Sequence, residues 1–464
     1  MSAIEHNPGA APAPTLAAPT PPQGPLPLRR FLRLLRESSI ATYPADAYSA
    51  DILERHLFWR RTFFVNEPGA IKHVLLDNAS NYAKTEITRR LLEPGLGRGL
   101  LTSEGETWRR HRRIMAPSFD YRSIVAYAPL MTEIAAHLVD RWDALPAGAE
   151  IDVAAAMMKA TLHIISRTMF SSDSDEIVGV VERGVGHYQS SIRPGLVDLL
   201  ELPKWLSRLT SWRRPERVFG PFDLAINRLL AERSRAGETQ PKDLLARLLA
   251  ARDEETGSGM TTQEIRNQVV TIFMAGHETT ALALTWTWYL LSQHPAAQAK
   301  LEAELAQVLG GRAPRHEDLG KLRYTRMVLE ESMRLYPPAH TLSRVALADD
   351  ELLGRHIPAG AQILVVPWLL HRNPKLWERP GVFDPERFAP ERAGTRHRFA
   401  YIPFGAGPRI CIGAAFAMAE AMLLLATIAQ RYRLHLKPGF PVEPQGLITL
   451  RARHGMQMIL ERRI

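Results

Sequence analysis

The stretch Phe404-Gly405-Ala406-Gly407-Pro408-Arg409-Ile410-Cys411-Ile412-Gly413 carries the most information in this chain. Glycines at 405, 407 and 413 let the backbone turn tightly and lie close against a flat partner. Cys411 is the single cysteine in 464 residues, which excludes an internal disulfide and any cysteine-rich zinc or iron–sulfur site. The run that follows, Ala414 to Ala429, is apolar apart from Glu420 and Thr427 and reads as a buried helix. Amides at the start of that helix can donate to a sulfur and steady its negative charge. Arg409 can pair with an anionic group, and Phe404 can shield a thiolate from water. These are the parts of a cradle that presents sulfur to the iron of a flat, anionic macrocycle such as haem. The plainer reading is an inert buried thiol after a glycine-rich turn.

Outward from this loop, the next strong signal is a helix from about Thr262 to His294, opened by a capping box of Thr261 and Glu264 and stopped by Pro295. At about 1.5 Å per residue it spans roughly 50 Å and crosses the whole domain. Glu264, Arg266, His277 and Glu278 in its interior argue against a membrane span. Its middle reads Ala275-Gly276-His277-Glu278-Thr279-Thr280. Polar groups halfway along a buried helix are either hydroxyls bonded back to their own helix or chemistry.

Apolar residues recur at helical spacing from about Ile124 to Leu309. Leu57 to Val65 reads as a strand or hairpin before Pro68 starts a helix, and Ile363 to Val366 is a short β-type run. The expectation is a mainly α fold with a smaller β region. Met1 to Leu28 is rich in proline and alanine, and is expected to be a disordered tail with neither a secretory signal nor a membrane anchor. The segment Arg29 to Arg36 can lie on a lipid surface, but a piece this short more often docks on its own domain. The net charge of +9 suits an acidic partner, a membrane surface or nucleic acid. Glu331 and Arg334, three apart, share one helix face, as do Trp108 and Arg112, four apart.

The cysteine loop resembles the signature of the cytochrome P-450 family, Phe-x-x-Gly-x-Arg-x-Cys-x-Gly, with every defining position present. The resemblance covers about Leu57 to the C-terminus and implies one domain, residues 29–464, with haem b between the long helix and the cysteine loop. By resemblance Cys411 ligates the iron, Phe404, Gly405 and Gly413 frame it, and Trp108, Arg112, Arg344 and Arg409 contact the haem propionates. Glu331 and Arg334 join Arg387 of Pro385-Glu386-Arg387-Phe388 in a structural network. Gly276 leaves room for dioxygen, Thr279 hydrogen-bonds it, and Glu278 carries protons toward it.

The implied activity is insertion of one atom of O2 into a lipophilic molecule, a fatty acid, terpenoid or steroid, by hydroxylation or epoxidation. Pocket walls are expected from about Tyr82 to Leu101, Phe170 to Leu202, Val269 to Ala275, Ala339 to Leu342 and Gly446 to Thr449, with Ala275, Ala339, His340, Thr341, Leu342 and Ile448 facing substrate. His340 equally fits a hydrogen bond within its own loop. The sequence shows no nicotinamide or flavin fingerprint, so NAD(P)H-derived electrons are expected from a separate ferredoxin or flavodoxin and its reductase, docked on the arginines around Trp108 to Arg113. That use of the basic residues leaves little for nucleic acid, and the expected location is the cytoplasm. Competing readings are a peroxide-driven oxygenase, a rearranging haem-thiolate enzyme and a haem sensor.

Overall fold

The computed structural model describes residues 16–24, 26–57, 60–171, 179, 215–236, 243–253 and 257–463. The helices that position the site are α1 (Leu28–Glu37), α2 (Glu86–Leu96), α3 (Gly105–Met115), α4 (Tyr121–Asp143), α5 (Val153–Phe170), α6 (Thr262–Gln293), α7 (Arg323–Leu335) and α8 (Ala414–Arg431). The strands used below are β1 (Ile52–Leu57), β2 (Arg60–Val65), β3 (Tyr82–Ala83), β4 (Glu150–Asp152), β5 (Leu342–Ala346), β6 (Gln362–Val365), β7 (Tyr432–Leu436), β8 (Pro444–Gly446), β9 (Leu450–Ala452) and β10 (Gln457–Arg462).

The long helix α6 opens on the capping box read from the sequence: Thr261 Oγ1 accepts from the Glu264 amide, and the Glu264 carboxylate accepts from the Thr261 amide. From Ile265 to Leu291 most of its side chains are buried. It packs along α5, while α8 packs along α4. Trp286 stacks on Tyr336 with centroids 4.1 Å apart and donates from Nε1 to the Leu450 carbonyl at 3.1 Å. The C-terminal hairpin β8–β9 is thereby fixed to the long helix. Among the described residues one helix, α8, is long and apolar enough to cross a membrane, and 67% of it is buried inside the protein.

The main sheet runs β1-β2-β6-β5-β3, with β2 and β6 parallel and the other pairs antiparallel. Its register sets Phe63 opposite Ile363 and Ser343 opposite Leu364, which brings the chain after the double proline up to the N-terminal strands. A second sheet, β4-β10-β7, closes the other side. The sequence reading left everything to Leu28 unpacked. In the structure Leu16 and Ala17 pack on the core, the Ala17 amide donates to Tyr289 Oη at 3.2 Å, and Tyr336 Oη donates to the Ala17 carbonyl at 2.8 Å. Two phenols on distant helices supply that anchor, which composition does not reveal. Helix α1 buries none of its side chains, and its end is joined to β8 by a bond from Gln445 Nε2 to the Glu37 carbonyl at 2.8 Å.

Glu331, Arg334 and Arg387 meet in the interior. Arg334 donates from Nε and Nη2 to the two Glu331 oxygens at 2.7 and 2.8 Å, and Arg387 Nε reaches Glu331 Oε1 at 3.3 Å. All three side chains are buried. The second cation is accommodated because Arg334 also donates to the carbonyls of His371, Pro380 and Val382, and Arg387 to that of Arg379. Removing one partner of a buried ion pair typically costs about 3–5 kcal/mol, because it strands the other charge. Glu331→Ala is therefore expected to lower unfolding free energy by about that amount; chemical denaturation of the native and variant proteins checks it.

Candidate active site

Cys411 sits on the wall of a cavity of about 1270 Å³ that runs from the cysteine loop past the middle of α6 to α1. The loop folds back on itself through the Cys411 amide, which donates to the Phe404 carbonyl at 2.9 Å. Gly405 and Gly407 adopt φ of +71° and +67°, which side chains rarely tolerate. A Cβ on Gly407 would also stand 1.7 Å from the Leu75 carbonyl oxygen, so that position admits only glycine. Burial pushes the Cys411 thiol up, while the Gly413 amide and the Arg112 guanidinium pull it back down. Arg112 is held beside the sulfur by its bond to the Ile410 carbonyl at 2.7 Å.

The cavity wall gathers positive charge that the protein itself neutralises only in part. Lys84, Arg344, Arg409 and Arg112 act on one another, with Glu104 the acidic partner among the described residues. Burial, reinforced by repulsion from Arg409 and Arg344, brings the Lys84 ammonium down to about 7. Arg409 pairs with Glu104, donates to the Ser103 carbonyl at 2.9 Å and lies 3.9 Å above the Trp108 ring. Trp108 thus steadies Arg409 by a cation–π contact. A surplus of cations beside an open thiol and a glycine-framed wall fits a flat group bearing two carboxylates. The residues present therefore suit a haem.

On the opposite wall Ala275, Gly276, Glu278 and Thr279 of α6 line the same cavity. Their geometry departs from the sequence reading in two ways. The missing side chain of Gly276 faces helix α5, since a Cβ there would lie 2.8 Å from Ile165 Cδ1; its smallness serves helix packing. Glu278 is held away from free proton traffic: its Oε1 accepts from Thr449 Oγ1 at 2.8 Å and pairs with Arg451. Thr279 Oγ1 donates to the Ala275 carbonyl at 2.9 Å, four residues back. Arg451 and Thr449, more than 170 residues from Glu278 in the chain, carry no sequence signal that ties them to it.

Ala339, His340, Thr341, Leu342 and Ile448 also line this cavity, as does much of the Tyr82 to Leu101 span, including Lys84, Thr88 and Leu92. His340 is buried and hydrogen-bonded within its surroundings, its Nε2 on the Leu447 carbonyl at 3.0 Å and its Nδ1 on Thr341 Oγ1 at 2.9 Å. Residues 172–178 and 180–202 of the expected pocket lie outside the described residues; Phe170 stacks on Phe273 in the core. Glu331, Arg334 and Arg387 are absent from the cavity wall.

The fold, the sulfur cradle and the cationic rim define a haem-thiolate class of protein. The sequence profile described as Cytochrome P450 matches residues 22–452, and the chain belongs to that family. It is 37% identical to cyclooctatin synthase of Streptomyces melanosporofaciens over 92% of this chain and 93% of the relative. It is 36% identical to cyclooctat-9-en-7-ol 5-monooxygenase of the same organism, over 86% of this chain and 85% of the relative. A crystal structure of the cytochrome P450DA heme domain superposes with a TM-score of 0.80 and 26% identity, covering 97% of this chain and 99% of that one. The protein is accordingly a cytochrome P450 monooxygenase that uses haem iron.

One buried acid stands apart from these groups. Glu420 on α8 is fully enclosed, and the Thr280 hydroxyl is the one polar side chain beside its carboxyl among the described residues. Burial therefore pushes its carboxyl well above the ordinary range, so it is neutral in the folded protein. The unfolded chain ionises it above about pH 4.3, so stability falls as pH rises from there toward the folded value. Glu420→Gln is expected to raise the thermal midpoint at pH 7 and leave it nearly unchanged at pH 4; melting curves at both pH values check this.

Proposed function

We propose that this chain hydroxylates or epoxidises a lipophilic terpenoid, with Cys411 as the thiolate ligand of haem b. The observation that carries the reading is the lone cysteine opening onto a large, mostly apolar cavity beside an excess of cations. Haem iron with a thiolate ligand activates dioxygen and delivers one of its atoms to the substrate. The balance is substrate C–H, O2, two electrons and two protons giving C–OH and water. Among fatty acids, terpenoids and steroids, the names of the cyclooctatin relatives favour the terpenoid.

The chain's own residues divide the remaining work. Arg112, Arg344, Arg409 and Lys84 hold the two propionates. Arg112 and the Gly413 amide steady the sulfur's negative charge. Thr279 moves a proton at Oγ1 once it turns from the Ala275 carbonyl toward the cavity. Glu278 takes part only when its pair with Arg451 opens, so proton supply is tied to movement of β9. Apolar walls exclude bulk water and orient the substrate.

Electrons come from NAD(P)H through a separate ferredoxin or flavodoxin with its reductase, in the cytoplasm. The arginines of α3 are partly engaged within the chain: Arg109 pairs with Glu106, Arg110 with Glu264 and Arg113 with Asp253. Docking therefore draws on a weaker field than the bare sequence implies.

Two variants and one turnover assay test this reading. Cys411→Ser is expected to lose the red-shifted Soret band that a thiolate-ligated haem shows when reduced under carbon monoxide; its retention would remove Cys411 as the ligand. Thr279→Ala is expected to keep that band yet divert NADPH into hydrogen peroxide when surrogate redox partners are supplied. Unchanged product per NADPH would take Thr279 out of proton delivery. Turnover with hydrogen peroxide alone, and none with NADPH and partners, would select the peroxide-driven reading.

A further inference from the structure

At one end of the cavity, where the segment after the double proline meets the short turns before β1 and the loop between β8 and β9, three polar side chains form a chain whose direction the geometry fixes. His340 Nε2 lies 3.0 Å from the Leu447 carbonyl oxygen, which can only accept, so Nε2 carries the proton. Burial holds the His340 imidazolium down at about 4, so the ring is neutral and Nδ1 is an acceptor. Thr341 Oγ1, 2.9 Å from Nδ1, therefore donates to it. With that one proton engaged, Thr341 must accept from Tyr43 Oη at 2.7 Å. The Tyr43 phenol, pushed up to about 12 by burial, keeps its proton for this bond.

The neighbouring hydroxyls are engaged in the same sense. Ser39 Oγ donates to the Gly446 carbonyl at 3.1 Å, and Thr42 Oγ1 donates to the Ser39 carbonyl at 2.6 Å. Tyr43, Thr341 and His340 all line the cavity. Every hydroxyl and ring proton of this cluster has a protein acceptor; Ser39 Oγ also lies beside Tyr43 Oη, and Tyr43 Oη and Thr341 Oγ1 each keep a lone pair that meets no further donor among the described residues. A polar patch built this way accepts hydrogen bonds and offers none.

From this we propose that the substrate is an alcohol: a hydrocarbon skeleton bearing a hydroxyl whose proton is donated to Tyr43 and Thr341. A ketone or ether brings only acceptors and meets acceptors; a plain hydrocarbon leaves the patch unmatched inside an apolar cavity. The reaction that supplies this substrate must then be one that installs the hydroxyl, and this enzyme adds a second oxygen. The proposal rests on the monooxygenase reading above and narrows it.

The test uses two matched sets on one skeleton each: valencene, nootkatol and nootkatone, and p-menthane, menthol and menthone. Titration into the full-length haem-loaded protein is followed by the low-to-high-spin Soret shift. In at least one set the alcohol is expected to bind about fivefold or more tighter than its hydrocarbon and ketone, the scale of one buried hydrogen bond. Thr341→Val is nearly isosteric and releases the Tyr43 proton toward the cavity, so the preference should turn from alcohol to ketone. Tyr43→Phe combined with Thr341→Val should abolish it. Absence of alcohol preference in both sets, or a preference unchanged in the double variant, overturns the proposal. If the red-shifted Soret band under carbon monoxide is intact in those proteins, the monooxygenase reading survives that failure. If the band is missing from the native protein, it is the broader reading that fails.

Discussion

The position of the sulfur depends on a buried ionic knot placed well away from it. Glu331 and Arg334 stand on α7, and Arg387 comes from the meander that leads into the cysteine loop. One carboxylate serves two guanidiniums, and the remaining guanidinium protons reach the carbonyls of residues 371, 379, 380 and 382. A segment with little regular secondary structure is thereby held by charge-assisted bonds in a dry interior, where they are strong and directional. Tyr401 adds a further tie, from Oη to the Glu330 carbonyl at 2.9 Å, just before the loop begins. Such a knot contributes specificity of placement more than net stability, because desolvating three charges offsets much of their attraction.

Held in this way, the cavity has a polarity that suits a two-part occupant. Its rim beside Cys411 is crowded with cations whose mutual repulsion depresses Lys84 and brings Arg409 down to about 10, burial being the larger cause in each. A dianionic cofactor edge relieves that repulsion. The Tyr43, Thr341 and His340 cluster at the far end presents hydrogen-bond acceptors, and much of the remaining wall is aliphatic and aromatic. The Glu278–Arg451 pair bridges α6 to the C-terminal hairpin at the middle of this arrangement. The element that pairs with Glu278, β9 with its preceding loop, thus also forms part of the cavity wall.

Much was legible in the sequence because the signals were local. The capping box of α6, the proline that ends it, the apolar run of α8 and the glycine spacing around Cys411 each fix backbone geometry through neighbours a few residues apart. Spacing of three also put Glu331 beside Arg334. What the sequence did not show were side-chain partners that lie far along the chain. Gly276 was read toward dioxygen; it lines the cavity, and the residue a side chain there would meet is Ile165 on α5. Arg409, read toward a propionate, also pairs with Glu104 and lies over Trp108, and no local spacing announced the Glu104 pair.

By itself, then, the sequence determined the sulfur cradle, the long crossing helix, the mainly α architecture and the family to which the chain belongs. These follow from periodicity, caps and backbone freedom, all of which act over short stretches. The tertiary structure alone decided which way protons point and which charges are paired. Arg451 finds Glu278, Ala17 finds two tyrosines, and Tyr43 finds Thr341 only after helices and hairpins pack. A hydrogen bond's direction is set by the last acceptor in its chain, and for His340 that acceptor is a carbonyl 107 residues away.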